Sequence, residues 1–237
     1  MTYLKACVNG ARTPDQHPNL PVTPQQIAEA AAAAHRAGAK AVHMHPKTAD
    51  GVDSLRPDVV AAAVDAVRHV VPGLPLGVTT GFWALSDPDE RQRAVQAWTV
   101  LPDFASVNWH EPGSERLAHL LLGMGVGVEV GIFHADAAAA WARSDMAAHC
   151  MRVMVEVGPD DDAVAADAVL GEVMAASSPA PVLLHGLDES CWPLLEHAVA
   201  RGLQTRIGLE DTLLLPDGTR ASDNAALVSA AVQLLSR

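Results

Sequence analysis

The sequence predicts a (β/α)8 barrel of the TIM-barrel type, an α/β fold that occupies residues 1–237 as a single domain. Short apolar segments and helical segments alternate along the chain, in the order that parallel βαβ units produce. Eight strand–helix pairs can be counted, and 237 residues is an ordinary length for one such barrel. We see no linker that would divide the chain.

Each predicted strand is a short apolar segment that ends in polar or turn-forming residues. The strands are predicted at 3–9, 41–45, 74–79, 103–108, 126–130, 149–157, 181–185 and 204–210. The first helix has the clearest start, because Thr23 can serve as N-cap, Pro24 takes the first helical position and Gln26 completes a capping box. Helices are predicted at 24–37, 57–71, from about 88, and at 114–122, 135–143, 160–176, 189–201 and 223–236.

An open, doubly wound sheet is the alternative arrangement of the same elements. Such folds that bind dinucleotides carry a Gly-x-Gly-x-x-Gly turn at the start of a helix. The glycine-rich stretch 123–127 precedes a strand instead, so it is better interpreted as a helix-to-strand turn. The pattern therefore favours the closed barrel.

Composition narrows the classes of partner and compartment. The formal net charge is −12 and no lysine or arginine cluster is present, which argues against a nucleic-acid partner. No apolar run approaches the ~18 residues of a membrane span, and no secretion signal precedes the first strand, so we expect a cytoplasmic protein. Three widely spaced cysteines argue against a disulfide framework.

The stretch Val42-His43-Met44-His45 is the first candidate for chemistry. Alternate side chains of a strand share a face, so His43 and His45 should project together, as two ligands of one metal must. Imidazole nitrogen is a common zinc ligand. A catalytic site would need a third protein ligand from elsewhere in the chain, with one position left open.

The predicted eighth strand can supply that ligand. Arg206, Gly208 and Glu210 alternate and should face one way, and charges inside a barrel need a ligand or each other. Strand eight lies two positions from strand two around a closed barrel, so Glu210 can converge on a metal held by the two histidines. This predicts a His2Glu site of the kind found in zinc enzymes. The alternative is an ion pair between Arg206 and Glu210 beside two core histidines.

Active sites of such barrels form at the carboxyl ends of the strands. The polar residues expected there are Asn9, His43, His45, Thr79, Thr80, Asn108, Glu129, Glu156, His185, Arg206, Glu210 and Asp211. The roles of Glu129, Glu156 and His185 stay open. The two glutamates could equally bind backbone amides or form ion pairs, and His185 could cap a loop.

Several stretches that span nearly the whole chain match a known pattern. They are 6–11, 19–24, 37–39 leading to His43-Met44-His45, 78–81, 206–211, 217–218 and 222–225. In these residues the chain resembles the β-keto acid cleavage enzymes, typified by 3-keto-5-aminohexanoate cleavage enzyme. The His-x-His and Arg-x-Gly-x-Glu-Asp motifs are jointly specific for the resemblance.

The resemblance implies a zinc-dependent acyltransferase that converts a β-keto acid and acetyl-CoA into acetoacetate and a new acyl-CoA. It also implies a homo-oligomer, a dimer or tetramer, and a Zn²⁺ ion or another divalent transition metal. The metal ligands that it implies are His43, His45 and Glu210. Asp211 corresponds to the catalytic base, and Arg206 to its charged partner.

The resemblance also implies a binding segment for the substrate carboxylate at Thr79, Thr80 and Gly81, with Asn108 nearby. One position departs from the family pattern. Where the family has Gly-Ala-Glu, with an acid that takes part in catalysis, this chain has Gly10-Ala11-Arg12. Arg12 suggests an anionic group on the substrate, although an arginine in an exposed loop would look the same.

Two other functions stay open from the sequence. One is a metal-dependent lyase or hydrolase that acts on a small keto acid without CoA. The other is a non-catalytic barrel that binds a small anion. Retention of the metal ligands and the base argues against the second.

Overall fold

A computed structural model describes residues 2–236 and confirms the predicted barrel, while the predicted domain 1–237 extends one residue beyond them at each end. The strands are β1 (Leu4–Cys7), β2 (Ala41–Met44), β3 (Leu76–Thr79), β4 (Phe104–Asn108), β5 (Gly127–Ile132), β6 (Arg152–Val157), β7 (Val182–Gly186) and β8 (Thr205–Ile207). The helices are α1 (Pro24–Ala37), α2 (Pro57–Val70), α3 (Pro88–Gln96), α4 (Ser114–Gly123), α5 (Ala135–Ala142), α6 (Met146–His149), α7 (Ala163–Ala175), α8 (Cys191–Ala200) and α9 (Asn224–Leu235). A 3-10 turn, Asp188–Ser190, precedes α8.

The strands pair in parallel in chain order, and β1 pairs with both β2 and β8. A parallel bridge between Leu183 and Gln204 brings β7 against the start of β8, and the amide of Leu184 donates to the carbonyl of Gln204 at 2.9 Å. The ring of strands is thereby nearly closed. All eight carboxyl ends consequently lie at one face of the barrel.

The first helix begins as the sequence predicts. The Thr23 hydroxyl accepts from the amide of Gln26 at 3.2 Å, and the Gln26 side chain accepts from the amide of Thr23 at 3.0 Å. This capping box satisfies backbone donors that a helix leaves free at its first turn. Ile27, Ala31 and Ala34 then face the barrel and are fully buried.

One predicted helix start and two predicted strand boundaries are wrong. The helix predicted from residue 160 begins at Ala163. His149, predicted to open the sixth strand, ends the short helix α6, and β6 begins at Arg152. Strand β8 ends at Ile207 rather than Glu210. The chain turns after Gly208, where a Cβ atom would lie 1.9 Å from the carbonyl oxygen of Cys7, so only glycine fits this close to β1.

The barrel interior is mainly apolar, but it encloses an ionic group around Glu129. Lys5 and Glu129 are fully buried and form an ion pair, and Arg152 also donates to Glu129, at 2.8 Å. Burial of isolated charges is costly, so the three groups depend on one another. In residues 2–236 no helix is long and apolar enough to span a bilayer.

Candidate active site

A cavity of about 240 Å³ opens at the carboxyl ends of the strands. Most of its polar residues belong to strands or directly follow them, whereas several apolar residues come from the loops beyond. The lining consists of Ala11, His43, His45, Thr79, Trp83, Ser106, Asn108, Phe133, Met154, Glu156, Leu187, Arg206 and Glu210.

The structure brings His43, His45 and Glu210 together at one side of this cavity. The Oε2 atom of Glu210 lies 3.9 Å from Nε2 of His43 and 3.8 Å from Nε2 of His45. The three ligand atoms lie within 4.8 Å of one another, which is compatible with a single bound cation. His43 belongs to β2, and His45 directly follows it.

Glu210 reaches this position from a turn, not from a strand. Its amide donates to the carbonyl of Cys7 at 3.2 Å, which anchors the turn to β1. The alternation expected for Arg206, Gly208 and Glu210 is therefore wrong in its backbone geometry. Arg206 and Glu210 still meet, because the turn folds the glutamate back toward β8, and Nη2 of Arg206 donates to Oε1 of Glu210 at 2.9 Å.

A second carboxylate orients His45. Oδ2 of Asp53 lies 2.6 Å from Nδ1 of His45 and accepts the indole N–H of Trp83 at 3.0 Å. Oδ1 of Asp53 accepts from Lys47, whose ammonium also donates to the carbonyl of Gly10 at 2.9 Å. With Nδ1 of His45 donating, Nε2 is the nitrogen whose lone pair faces Glu210.

The backbone beneath the histidines is held by Asn9. Its side-chain amide donates to the carbonyl of His45 at 2.9 Å and to the carbonyl of Pro21 at 3.1 Å, and its oxygen accepts from the amide of His45 at 2.8 Å. Asn9 therefore fixes the end of β2 against β1. Asn9 and His45 are both buried, so these hydrogen bonds are shielded from solvent.

Arg206 contacts the acidic groups on the β8 side of the cavity. Its Nε and Nη2 atoms donate to Oδ1 of Asp211 at 3.0 and 2.7 Å, and Nη2 lies 3.7 Å from Oε2 of Glu156. Asp211 is fully buried behind Arg206 and does not line the cavity. His185 connects the same groups, with Nε2 3.1 Å from Glu156 and Nδ1 3.7 Å from Asp211.

The protonation states suit cation binding. Burial lowers the pKa of His43 well below its usual value, which keeps the imidazole neutral and its lone pair available. Burial alone would raise the pKa of Glu210, but the nearby charge of Arg206 lowers it to about 2. Asp211 behaves differently, because burial outweighs the charge of Arg206 and raises the pKa of its carboxyl group.

Among His43, His45 and Glu210, two buried atoms have no hydrogen-bond partner within residues 2–236: Oε2 of Glu210 and Nδ1 of His43. Buried polar atoms are almost always satisfied, so the first of these, which faces both imidazoles, indicates a missing partner. Two neutral imidazoles and one carboxylate form a donor set that suits zinc and several other divalent transition metals. The residues present therefore fit a metal ion, without identifying the element.

Of the residues predicted to bind the substrate, Thr79 and Asn108 line the cavity. The hydroxyl of Thr80 donates to the carbonyl of Ser106 at 2.6 Å, and the amide of Gly81 donates to the hydroxyl of Thr79 at 3.0 Å. Arg12 lies outside the lining. Its Nη2 atom lies 2.5 Å from Oδ1 of Asp188, and its Nε donates to the carbonyl of Glu210 at 3.2 Å.

A clamp that the sequence did not reveal holds Asn108. Glu111 accepts from Nδ2 of Asn108 at 2.8 Å and from the amide of Phe82 at 3.1 Å, and it forms a buried ion pair with Arg91. Glu111 therefore connects the end of β4 to the loop after β3. No motif marks it, because its three partners are brought together only by the fold.

Other residues of the site could have been found from the strand pattern. Ser106 lies two residues before Asn108 on β4 and faces the same cavity, as alternation requires. Met154 stands in the same relation to Glu156 on β6. The loop residues Asp53, Trp83, Phe133 and Leu187 carry no such signal.

Comparison with known proteins places the chain among enzymes that act on keto acids. A family model described as beta-keto acid cleavage enzyme matches residues 2–237. The 3-keto-5-aminohexanoate cleavage enzyme of Acetoanaerobium sticklandii is 24% identical over 98% of this chain and 90% of its own length. The 3-dehydrocarnitine:acetyl-CoA trimethylamine transferase of Rhizobium meliloti is 26% identical over the same shares of the two chains.

Solved structures agree on the fold. A ternary complex of ObcA with a C4-CoA adduct and oxalate superposes with a TM-score of 0.70 at 18% identity. The match covers 91% of this chain and 63% of the ObcA chain. The chain thus corresponds to somewhat less than two thirds of that larger protein.

Proposed function

The chain belongs to the β-keto acid cleavage enzyme family, and from that membership we propose that it condenses a β-keto acid with acetyl-CoA to give acetoacetate and a new acyl-CoA. The observation that carries the proposal is the meeting of His43, His45 and Glu210 beside Arg206 in one cavity. The names of the relatives from A. sticklandii and R. meliloti, a keto acid cleavage enzyme and an acetyl-CoA-dependent transferase, support the reaction class.

We assign the metal to His43, His45 and Glu210, with zinc as the first choice. When bound there, the ion supplies a Lewis acid that stabilises negative charge on a ketone oxygen. Thr79 and Asn108 line the cavity next to this group and offer a hydroxyl and an amide to the substrate carboxylate. Thr80 and Gly81 shape the same segment through their bonds to Ser106 and Thr79.

Asp211 is the proposed base. Its Oδ2 atom has no partner among the described residues, and the pKa of its carboxyl group is raised, as suits a group that accepts a proton. Arg206 stands between Asp211 and the cavity, so we expect its side chain to shift when the substrate binds. Catalytic contacts often tighten only in the substrate complex.

The proposed reaction forms one carbon–carbon bond and then breaks another. Asp211 takes a proton from the carbon between carboxylate and ketone, and that carbon bonds to the acetyl carbonyl of acetyl-CoA while the CoA thiolate leaves. The thiolate then attacks the original ketone and breaks its bond to the same carbon, which regains a proton from Asp211. The products are acetoacetate and the acyl-CoA of the substrate's remaining part.

The test is incubation of the metal-replete protein with acetyl-CoA and a panel of β-keto acids. We expect acetoacetate with at least one acid, formed in step with the matching acyl-CoA. No acetoacetate across the panel would overturn the proposal. Turnover that does not need acetyl-CoA would identify a metal-dependent lyase or hydrolase of a small keto acid instead.

We also propose that the enzyme works in the cytoplasm as a homo-oligomer. Its three cysteines, Cys7, Cys150 and Cys191, are free and buried, as is usual for proteins of reducing compartments. The oligomer follows from the resemblance to the family. Light scattering coupled to gel filtration should give the mass of a dimer or tetramer, and a monomer mass at micromolar concentration would refute this part.

A further inference from the structure

The cavity has two layers of different chemistry. The floor consists of residues on strands together with His45 and Glu210, which follow β2 and β8, and it is polar except for Met154: His43, His45, Thr79, Ser106, Asn108, Glu156, Arg206 and Glu210. The collar, which we define as Ala11, Trp83, Phe133 and Leu187, lies in the loops beyond the strand ends and is entirely apolar. A substrate whose reacting end reaches the floor must pass its remaining part through the collar.

Trp83 is a firmly placed wall of this collar. Its ring is nearly parallel to the His45 ring, with centroids 5.8 Å apart and an interplanar angle of 12°, and its N–H is taken by Asp53. Gly81 leaves it room, because a Cβ there would lie 2.3 Å from the indole ring. Although Trp83 is 47% exposed, its polar atom is already satisfied, so it offers the cavity only apolar ring surface.

Phe133 stands on another side of the collar. Its ring contacts His110 edge to face at 4.7 Å, which fixes its orientation at the end of β5. Leu187 follows β7 and lines the same opening. Aromatic and aliphatic surface thus surrounds the route out of the floor on several sides.

None of the four collar residues carries a charge. Arg12, which follows Ala11 in the chain, is paired with Asp188 and donates to the carbonyl of Glu210. The acids of the site, Glu156 and Glu210, lie at the floor and face Arg206. A charged group held in the collar would lose hydration without gaining a partner, which is unfavourable.

We propose that the protein selects β-keto acids whose substituent beyond the ketone is uncharged and apolar, and that Trp83, Phe133 and Leu187 determine this selection. The inference rests on the proposed function, since it assumes that the floor holds the reacting end.

The test compares four β-keto acids that differ in the charge of the tail: 3-oxohexanoate, 5-amino-3-oxohexanoate, 3-oxoadipate and 3-dehydrocarnitine. With acetyl-CoA and metal-replete protein, we expect kcat/KM for 3-oxohexanoate to exceed that of each charged acid at least about tenfold, the scale on which a pocket separates substrates. A preference for any charged acid would overturn the inference. Preference for the quaternary ammonium would indicate instead that the aromatic rings act through cation–π attraction.

A binding measurement separates this inference from the proposed reaction. Intrinsic tryptophan fluorescence and thermal shift are followed as each acid is added to the metal-loaded protein without acetyl-CoA. If none of the acids is turned over but 3-oxohexanoate binds most tightly, the reaction is wrong and the selection stands. If charged acids are turned over best, the reaction stands and the selection is wrong.

A charge placed in the collar should reverse the preference. Phe133→Arg is expected to raise kcat/KM for 3-oxoadipate relative to 3-oxohexanoate at least about tenfold. The matched control is Leu214→Arg, which puts the same charge on a 47% exposed leucine outside the cavity lining and should leave the ratio unchanged. An equal ratio in the wild type and Phe133→Arg would contradict the assignment of Phe133.

Discussion

The carboxylate of Asp53 lies 2.6 Å from Nδ1 of His45, on the side of the imidazole ring opposite Glu210. The hydrogen bond directs the other nitrogen, Nε2, toward the proposed metal position and makes it the better electron donor. The same Oδ2 atom accepts the Trp83 N–H, so one carboxylate positions both a proposed metal ligand and a wall of the cavity. Removal of this carboxylate should therefore disturb the positions of both His45 and Trp83.

Asp53→Asn is the first prediction. The substitution keeps the shape of the side chain but removes the charge that supports the His45 imidazole, so metal affinity should fall about 10- to 100-fold. Competition with a chromophoric chelator measures this affinity. Asp50→Asn is the matched control, because Asp50 lies in the same loop, is exposed and contacts Thr48 rather than a histidine. Equal affinities for the two variants would show that Asp53 does not support the site.

His45→Ala separates the metal from the fold. The variant loses one of three proposed ligands, and a site with two ligands should not retain the ion through gel filtration. We expect elemental analysis to show no stoichiometric metal, with circular dichroism like that of the wild type, because the barrel is built from apolar contacts elsewhere. Full metal content in His45→Ala would exclude His45 as a ligand.

Asp211→Asn tests the base. The amide cannot accept the substrate proton, so kcat should fall about 10²- to 10⁴-fold while metal content stays the same. Because Asp211 also holds Arg206, the variant is compared with the wild type in chelator competition to check that the metal group is intact. A normal turnover rate in Asp211→Asn would rule out the proposed role.

Gly208 and Gly171 form a contrasting pair for the turn after β8. A Cβ at Gly208 would lie 1.9 Å from the Cys7 carbonyl oxygen, whereas a Cβ at Gly171 in α7 meets nothing within 4 Å. Gly208→Ala should cost about 1–3 kcal/mol or more and displace Glu210 from the histidines. Gly171→Ala should add about 0.5–1 kcal/mol, since glycine weakens a helix interior. Urea unfolding measures both, and equal stabilities would refute the account of the turn.

The same turn marks the limit of prediction from sequence. The barrel and the order of its elements can be predicted because apolar runs, helix caps and glycines are local signals in the sequence. The Thr23 capping box, for example, forms where its spacing predicts it. The backbone at Glu210 could not be predicted, because its turn is held by a hydrogen bond from the amide of Glu210 to the carbonyl of Cys7, some 200 positions away in the chain. The hydrophobic pattern of a strand does not predict such a contact.

The proposed ligands and their supports differ in the same way. His43 and His45 are two residues apart, so strand geometry alone predicts that they project together. Asp53 contacts His45 from a loop, where side chains do not alternate as they do in a strand. Glu111 contacts Asn108 through a turn that the buried Arg91 stabilises. Such supports depend on tertiary contacts, and they become visible only with the side chains in place.

The ionic group inside the barrel gives the last prediction, a dependence of stability on pH. Burial alone would raise the pKa of Glu129, but Lys5 and Arg152 lower it from 4.5 to about 2. A carboxyl group with a lowered pKa in the folded state stabilises that state above its unfolded pKa and ceases to do so as the pH falls. The contribution should thus be complete above about pH 5 and decline toward pH 2, with a size on the order of 3 kcal/mol.

Glu129→Gln isolates this contribution, because all other carboxyl groups titrate in both proteins. The variant should be less stable than the wild type at pH 7, because Lys5 and Arg152 then share no buried anion. Its unfolding free energy should, however, fall less steeply between pH 5 and pH 3 than that of the wild type. Urea unfolding of the two metal-free proteins across this range makes the comparison. Parallel curves would mean that Glu129 titrates alike in the folded and unfolded chains, and that the three charges do not act as one group.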